Sequence, residues 1–137
     1  MTRFLAGLIF FCCLASCKKI EEKIQENRAM EFITSGEWKV KSFTKNGVNH
    51  SAAFIPFIFR FKTNGEVDAF VNGMVEATGS WEGNANAGTI KSNFPATAVQ
   101  PLPLLNGTWQ ITDGGETYTV ANKLENGETS VLRLEKI

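Results

Sequence analysis

The chain has 137 residues, with 14 basic and 14 acidic side chains, three cysteines and one histidine. Balanced charge supplies no basic field for nucleic acid, and a single histidine cannot build a histidine cluster for zinc. The length suits one domain with an ordinary core.

Residues 1–16 carry one positive charge at Arg3, an apolar run from Phe4 to Leu14 and then small residues, which is the layout of an export signal. The apolar run falls short of the roughly 20 residues that a membrane-spanning helix needs. Leu14-Ala15-Ser16-Cys17 resembles the lipobox of bacterial lipoproteins, an apolar residue and two small ones before the cysteine that becomes the new first residue. The resemblance implies cleavage before Cys17 and two or three acyl chains on that residue. At about 0.8 kcal/mol per buried methylene, one chain binds marginally and two or more anchor firmly. The other reading is a plain secretory signal that ends near a cysteine, although such a signal favours a small residue at −3, where Leu14 stands. The expected location is the bacterial cell envelope, lipid-anchored at the outer membrane, with the periplasmic and surface faces both open. Cys12 and Cys13 leave with the signal and Cys17 carries the lipid, so no thiol remains for a disulfide or a metal, and no cofactor is expected.

Residues 17–35 read as a lipidated, partly helical tether. Lys18, Lys19, Glu21, Glu22, Lys23, Glu26, Arg28 and Glu31 alternate sign densely, while Ile20, Ile24, Met30 and Ile33 fit a helical stripe only in part. Lysines followed by paired glutamates beside the cysteine resemble the tag with which some Gram-negative bacteria display lipoproteins on the cell surface.

From Gly36 to the C-terminus the pattern becomes period-two alternation, the signature of half-buried strands. In chain order the apolar rows are Trp38 and Val40; Phe57, Phe59 and Phe61; Val67, Ala69 and Val71; Val75, Ala77, Gly79 and Trp81; Ile90 and Phe94; Leu105, Trp109 and Ile111; Tyr118 and Val120; Leu132 and Leu134. Phe70 breaks the alternation. Asn64-Gly65, Asn72-Gly73, Asp113-Gly114-Gly115 and Asn126-Gly127 supply turns between rows, because Asn and Gly tolerate positive φ. Short turns join neighbours in space. The expected fold over 36–137 is therefore all-β, an eight-stranded up-and-down antiparallel barrel, with a two-sheet sandwich as the rival.

Gly36-Glu37-Trp38 opens the first strand as the G-x-W of lipocalins does, and Thr112-Asp113 falls at the sixth-to-seventh strand turn where lipocalins carry T-D-Y. The domain resembles the short, lipobox-bearing lipocalin-like proteins of bacteria. Gly114 stands in place of the tyrosine, and Arg133, the candidate for the late lipocalin arginine, belongs to the face opposite Leu132 and Leu134. The resemblance implies a lipid-anchored binding module with a small apolar ligand in its barrel.

The candidate lining is Trp38, Phe57, Phe59, Phe61, Trp81, Trp109 and Tyr118, with Ala69, Ala77, Gly79, Ser92 and Gly107 small enough to leave room. The alternative is a barrel filled by those aromatics, which would serve as an interaction or accessory subunit of an envelope complex through an outward apolar patch around Ile58, Phe70 and Val131. In a meander the two longest connections, 46–53 and 95–103, share one end, expected to be the mouth, with the tether at the other. The second of these is unusually apolar and reads either as a lid or as a link whose valine and leucine tuck back onto the barrel. No reaction is expected. His50 sits in a loop with no carboxylate nearby in sequence, Glu66 and Asp68 share a solvated face, and there is no nucleophile elbow or phosphate-cradling loop.

Overall fold

The computed structural model describes residues 31–137, so the signal segment, Cys17 and the tether as far as residue 30 lie outside the described residues. Residues 31–34 are helical. Gly36, at φ +78°, then turns the chain into the first strand.

Nine strands follow: β1 (Trp38–Lys45), β2 (Val48–Asn49), β3 (Phe57–Phe61), β4 (Glu66–Val71), β5 (Met74–Asn84), β6 (Thr89–Asn93), β7 (Gly107–Gly114), β8 (Tyr118–Glu125) and β9 (Glu128–Lys136). β2 is a two-residue arm folded back on β1 through Asn46-Gly47. The other eight pair antiparallel, each with the next in sequence, and β9 returns to pair with β1. The result is a closed, eight-strand up-and-down barrel, and the sandwich is excluded. Asn46-Gly47, Asn72-Gly73 and Asn126-Gly127 hold positive φ at both positions, the geometry that matches strand twist in a tight hairpin. All three stand at the end where β1 finishes.

Three register shifts set which residues face inward. In β1 the partners jump from Val40 to Ser42, so Lys41 is the extra residue and the inward row resumes at Phe43. In β5 Glu76 is extra, and Val75 lies opposite Phe70 on the outer face rather than inside as its alternation implied. In β7 Thr112 is extra, next to Asp113. Each bulge moves every residue beyond it to the other face.

The core runs along the barrel axis, with Trp38, Phe43, Phe54, Phe59, Phe94, Leu102 and Val67 fully buried. The long connections are not an open rim. Residues Ser51–Phe54 and Leu102–Leu105 each form a 3-10 turn that drives Phe54, Leu102 and Leu105 into the interior, so Leu105 belongs to a plug and not to a strand. Phe43 meets Phe54 at 5.2 Å and Trp109 edge-on at 5.9 Å between ring centroids. In the 95–103 segment the leucine tucks inward while Val99 stays exposed.

On the outer wall Asp68 is only 5% exposed. Lys62 Nζ lies 2.8 Å from its carboxylate and the Thr78 hydroxyl donates to it at 2.7 Å. The Lys62 ammonium holds the Asp68 carboxyl below its ordinary range, Thr78 adds to this, and burial works against both. A depressed folded-state value contributes stability above the ordinary pKa of 3.8, and that stability is lost as pH falls through the folded value. The expected result for Asp68→Asn is a loss of about 2 kcal/mol at pH 7, the range of a hydrogen bond to a charged group. Thermal midpoints measured against pH should show that loss closing as the pH is taken well below 3.8.

Candidate functional site

An apolar cup lies inside the barrel. Its floor is Leu105, Trp109 and Leu132, its wall includes Phe59, Val67, Ser92, Phe94 and Ala121, and its rim carries Phe61, Ile90, Thr119 and Leu134. Floor residues are buried, whereas Ile90, Thr119 and Leu134 are half-buried and stand near the strand ends where β1 begins. The cup therefore opens toward the N-terminal end, and the expectation of a mouth at the long connections is corrected. Phe54, Leu102 and Leu105 close that end from within.

Its free volume is about 50 Å³. Pockets for drug-sized ligands measure about 300–1,000 Å³. The small residues do not leave the room their size suggested, because neighbours fill it. A Cβ on Gly79 would lie 2.6 Å from the Asn93 carbonyl oxygen and 3.0 Å from the Phe94 ring, and one on Gly107 would lie 2.9 Å from Lys123 Cδ. Ser92 donates its hydroxyl to the Leu105 carbonyl, and the Trp109 indole N–H donates to the same oxygen at 2.9 Å. The polar groups of the floor are thus engaged with one another, and the cup presents a hydrocarbon surface.

Of the seven residues expected to line the interior, Phe59, Phe61 and Trp109 border the cup. Trp38, Phe57 and Trp81 are buried in the surrounding core. Trp38 donates its indole N–H to the Ile33 carbonyl at 3.0 Å, which fastens the helical turn 31–34 to the barrel, and Trp81 donates to the Lys62 carbonyl at 2.8 Å. Tyr118 is placed differently. Its ring lies 4.7 Å from the Arg133 guanidinium and its hydroxyl donates to Asp113 at 3.2 Å, while Thr119 and Ala121 of the same strand face the cup. Tyr118 and Val120 therefore belong to the outer wall. A partner available outside, the guanidinium of Arg133, makes an outward aromatic favourable. The pairing of Val120 with Arg133 carries the signal, since a strand neighbour shares its face.

His50 packs edge-on to Phe43 at 6.2 Å, and its backbone N–H donates to the Phe43 carbonyl. Among the described residues, no group of three or more histidine, cysteine, aspartate or glutamate side chains is placed to hold a metal ion.

The outer wall carries a second feature. Ile58 lies opposite Phe70, and Phe70 opposite Val75, so three apolar side chains cross β3, β4 and β5 in one row. Arg60 sits over the Phe70 ring at 5.2 Å. Val75 and the adjoining Met74 are 54% and 75% exposed.

No protein-family model matches the chain, and no curated protein matches it in sequence. Among solved structures, it is similar to a DUF4847 family protein from Bacteroides vulgatus at a TM-score of 0.56 and 16% identity, over 78% of this chain and 96% of that one. It is also similar to an uncharacterized protein from Bacteroides eggerthii, at a TM-score of 0.47 and 11% identity, over 76% of this chain and 99% of that one. The first likeness is one of fold alone, with little shared sequence.

Proposed function

We propose that the protein is a lipocalin-like lipoprotein of the bacterial cell envelope, held at the outer membrane through lipid on Cys17, whose barrel takes the apolar end of a small molecule. The observation that carries this reading is the cup, walled by hydrocarbon, with its floor hydrogen bonds internally satisfied and its opening at one end. The opening lies at the end where the tether enters, so an anchor on Cys17 directs the cup toward the membrane side of the domain. At about 50 Å³ the closed cup fits an alkyl terminus or the edge of a methylated ring. A whole fatty acid or sterol requires the half-buried rim of Ile90, Thr119 and Leu134 to part.

The test is a titration with a fluorescent fatty-acid analogue, following tryptophan emission, since Trp109 forms part of the floor. Saturable one-to-one quenching is expected, displaced by an unlabelled apolar competitor. Ala121→Leu, which fills the cup from its wall, should weaken binding at least tenfold while the barrel stays folded. A folded protein that shows no saturable change would remove the ligand reading.

The outward row of Ile58, Phe70 and Val75 favours a second reading, an accessory subunit of an envelope complex whose working surface is the outer wall. Under that reading a photo-crosslinker at Met74 gives one discrete adduct in the envelope, and a crosslinker at Glu82 does not.

A further inference from the structure

The apolar interior stops one layer beyond the floor on three adjacent strands. The ladders place Phe43, Leu132 and Ala121 of β1, β9 and β8 in one row, and the next inward row is Lys45, Ser130 and Lys123. Lys45 lies opposite Ser130, and Ser130 lies opposite Lys123. Together with Asn106 and Asn126 they line a cleft of about 250 Å³ at the long-connection end, on the far side of the plug from the apolar cup.

This cleft is built rather than incidental. The Lys123 side chain is only 10% exposed. Its ammonium donates to the carbonyls of Leu104, at 3.3 Å, and Asn106, and it stands 4.9 Å from the Trp109 ring. Gly107, at φ +113°, makes its passage possible, because a Cβ there would collide with Lys123 Cδ. Ser130 is 3% exposed. The remaining partners are carboxylates from the rim: Glu125 at 3.4 Å from Lys123, and Glu128 at 3.3 Å from Lys45. Those glutamate side chains are 61% and 48% exposed. Exposed ion pairs are weak and their long side chains move freely, and the Lys45 side chain is itself 41% exposed, so one held cation, Lys123, and one rim cation, Lys45, are covered by two displaceable anions.

We propose that this cleft is an anion site, which takes a small carboxylate or phosphate group between Lys45 and Lys123 with Ser130 at its base. The rim glutamates swing out as the group enters. Two ammoniums in the inward row supply charge and the Ser130 hydroxyl supplies a donor.

The test uses the full chain in detergent, titrated separately with inorganic phosphate and with succinate at constant ionic strength set by sodium chloride. The readout is the NMR signals of Gly107, Lys123 and Ser130. Saturable shifts in the millimolar range are expected, and the stronger of the two ligands identifies the anionic group. Lys45→Met should weaken binding at least fivefold with an unchanged thermal midpoint. Glu125→Gln combined with Glu128→Gln should tighten it severalfold, because the competing carboxylates are gone. A purely structural pair of ion pairs predicts no such gain. Shifts that fail to saturate, that sodium chloride reproduces, or that neither variant alters would overturn the proposal.

Discussion

Trp109→Ala should cost about 3–5 kcal/mol, the range for removing a large buried aromatic. Domains of this kind are stable by about 5–15 kcal/mol in total, so the variant should be marginal or unfolded at 37 °C. Three contacts disappear together. Phe43 loses its edge-on neighbour at 5.9 Å, the Leu105 carbonyl loses one of its two donors, and Lys123 loses the ring beneath its ammonium. Trp109 is also where the plug, the cup floor and the polar cleft meet, so no single neighbour can collapse into the space. Trp109→Phe keeps most of the volume and gives up the indole N–H. Because Ser92 still donates to Leu105, its expected cost is only about 1 kcal/mol. Urea unfolding of the two variants measures the difference, and equal losses would show that the hydrogen bond, rather than the packing, holds this layer.

Gly79→Ala is expected to destabilise the barrel by about 1–3 kcal/mol, as overpacking does. A glycine-to-alanine change at a compatible site stabilises by about 0.4–1 kcal/mol through the unfolded chain. Here the sign reverses because the added carbon would lie 2.6 Å from a backbone oxygen, that of Asn93, and 3.0 Å from the Phe94 ring. The backbone atom cannot step aside without opening the β5–β6 pairing at Ser80 and Asn93. Gly115, with nothing within 4 Å of its would-be Cβ, is the control, and Gly115→Ala should stay within about 0.5 kcal/mol of the parent. Thermal or urea unfolding of both decides the matter, and a Gly79→Ala barrel as stable as the parent would mean that the crossing of Phe94 over β5 is loose.

The architecture was legible because its evidence is local. Alternating rows separated by Asn-Gly pairs specify neighbouring antiparallel strands, and eight of them close. The interior was less legible, because one extra residue inverts a face and leaves no mark in composition. Lys41 hides the inward position of Phe43, and plain alternation across Glu76 puts Val75 inside. Tyr118 misled for another reason: its partners, Arg133 and Asp113, come from a different strand and a turn, and only their convergence makes the outer wall a good place for its ring. The plug was legible only in part. The inward tuck of Leu102 is one of the two readings its proline-rich connection allows, whereas Leu105, which alternation assigns to a strand row, lies in the 3-10 turn that enters the barrel. Lys45 and Lys123 were equally silent, since a lysine facing inward obeys the same period as one facing outward.

Those plugs alter the functional comparison between the two ends. In the closed barrel the long connections supply side chains to the interior, and they divide it into a hydrocarbon compartment near the termini and a charged one beyond. An amphiphile would therefore not thread the barrel. Under the two proposals each compartment has its own chemistry, and a substitution away from Trp109, which borders both, should leave the other's binding intact.

The seam between β1 and β9 has a consequence for the order of assembly. Seven residue pairs join the first strand to the last across nearly the whole domain, and Ile137 donates its N–H to the Glu37 carbonyl at 3.0 Å. Contacts so distant in sequence must close a long loop before they return any stabilisation, which places this fold among slow folders. Until the final nine-residue strand arrives, β1 and β8 are both open edges able to pair with other chains. Pairing of the last barrel strand thus converts a sheet with two open edges into a barrel without edges.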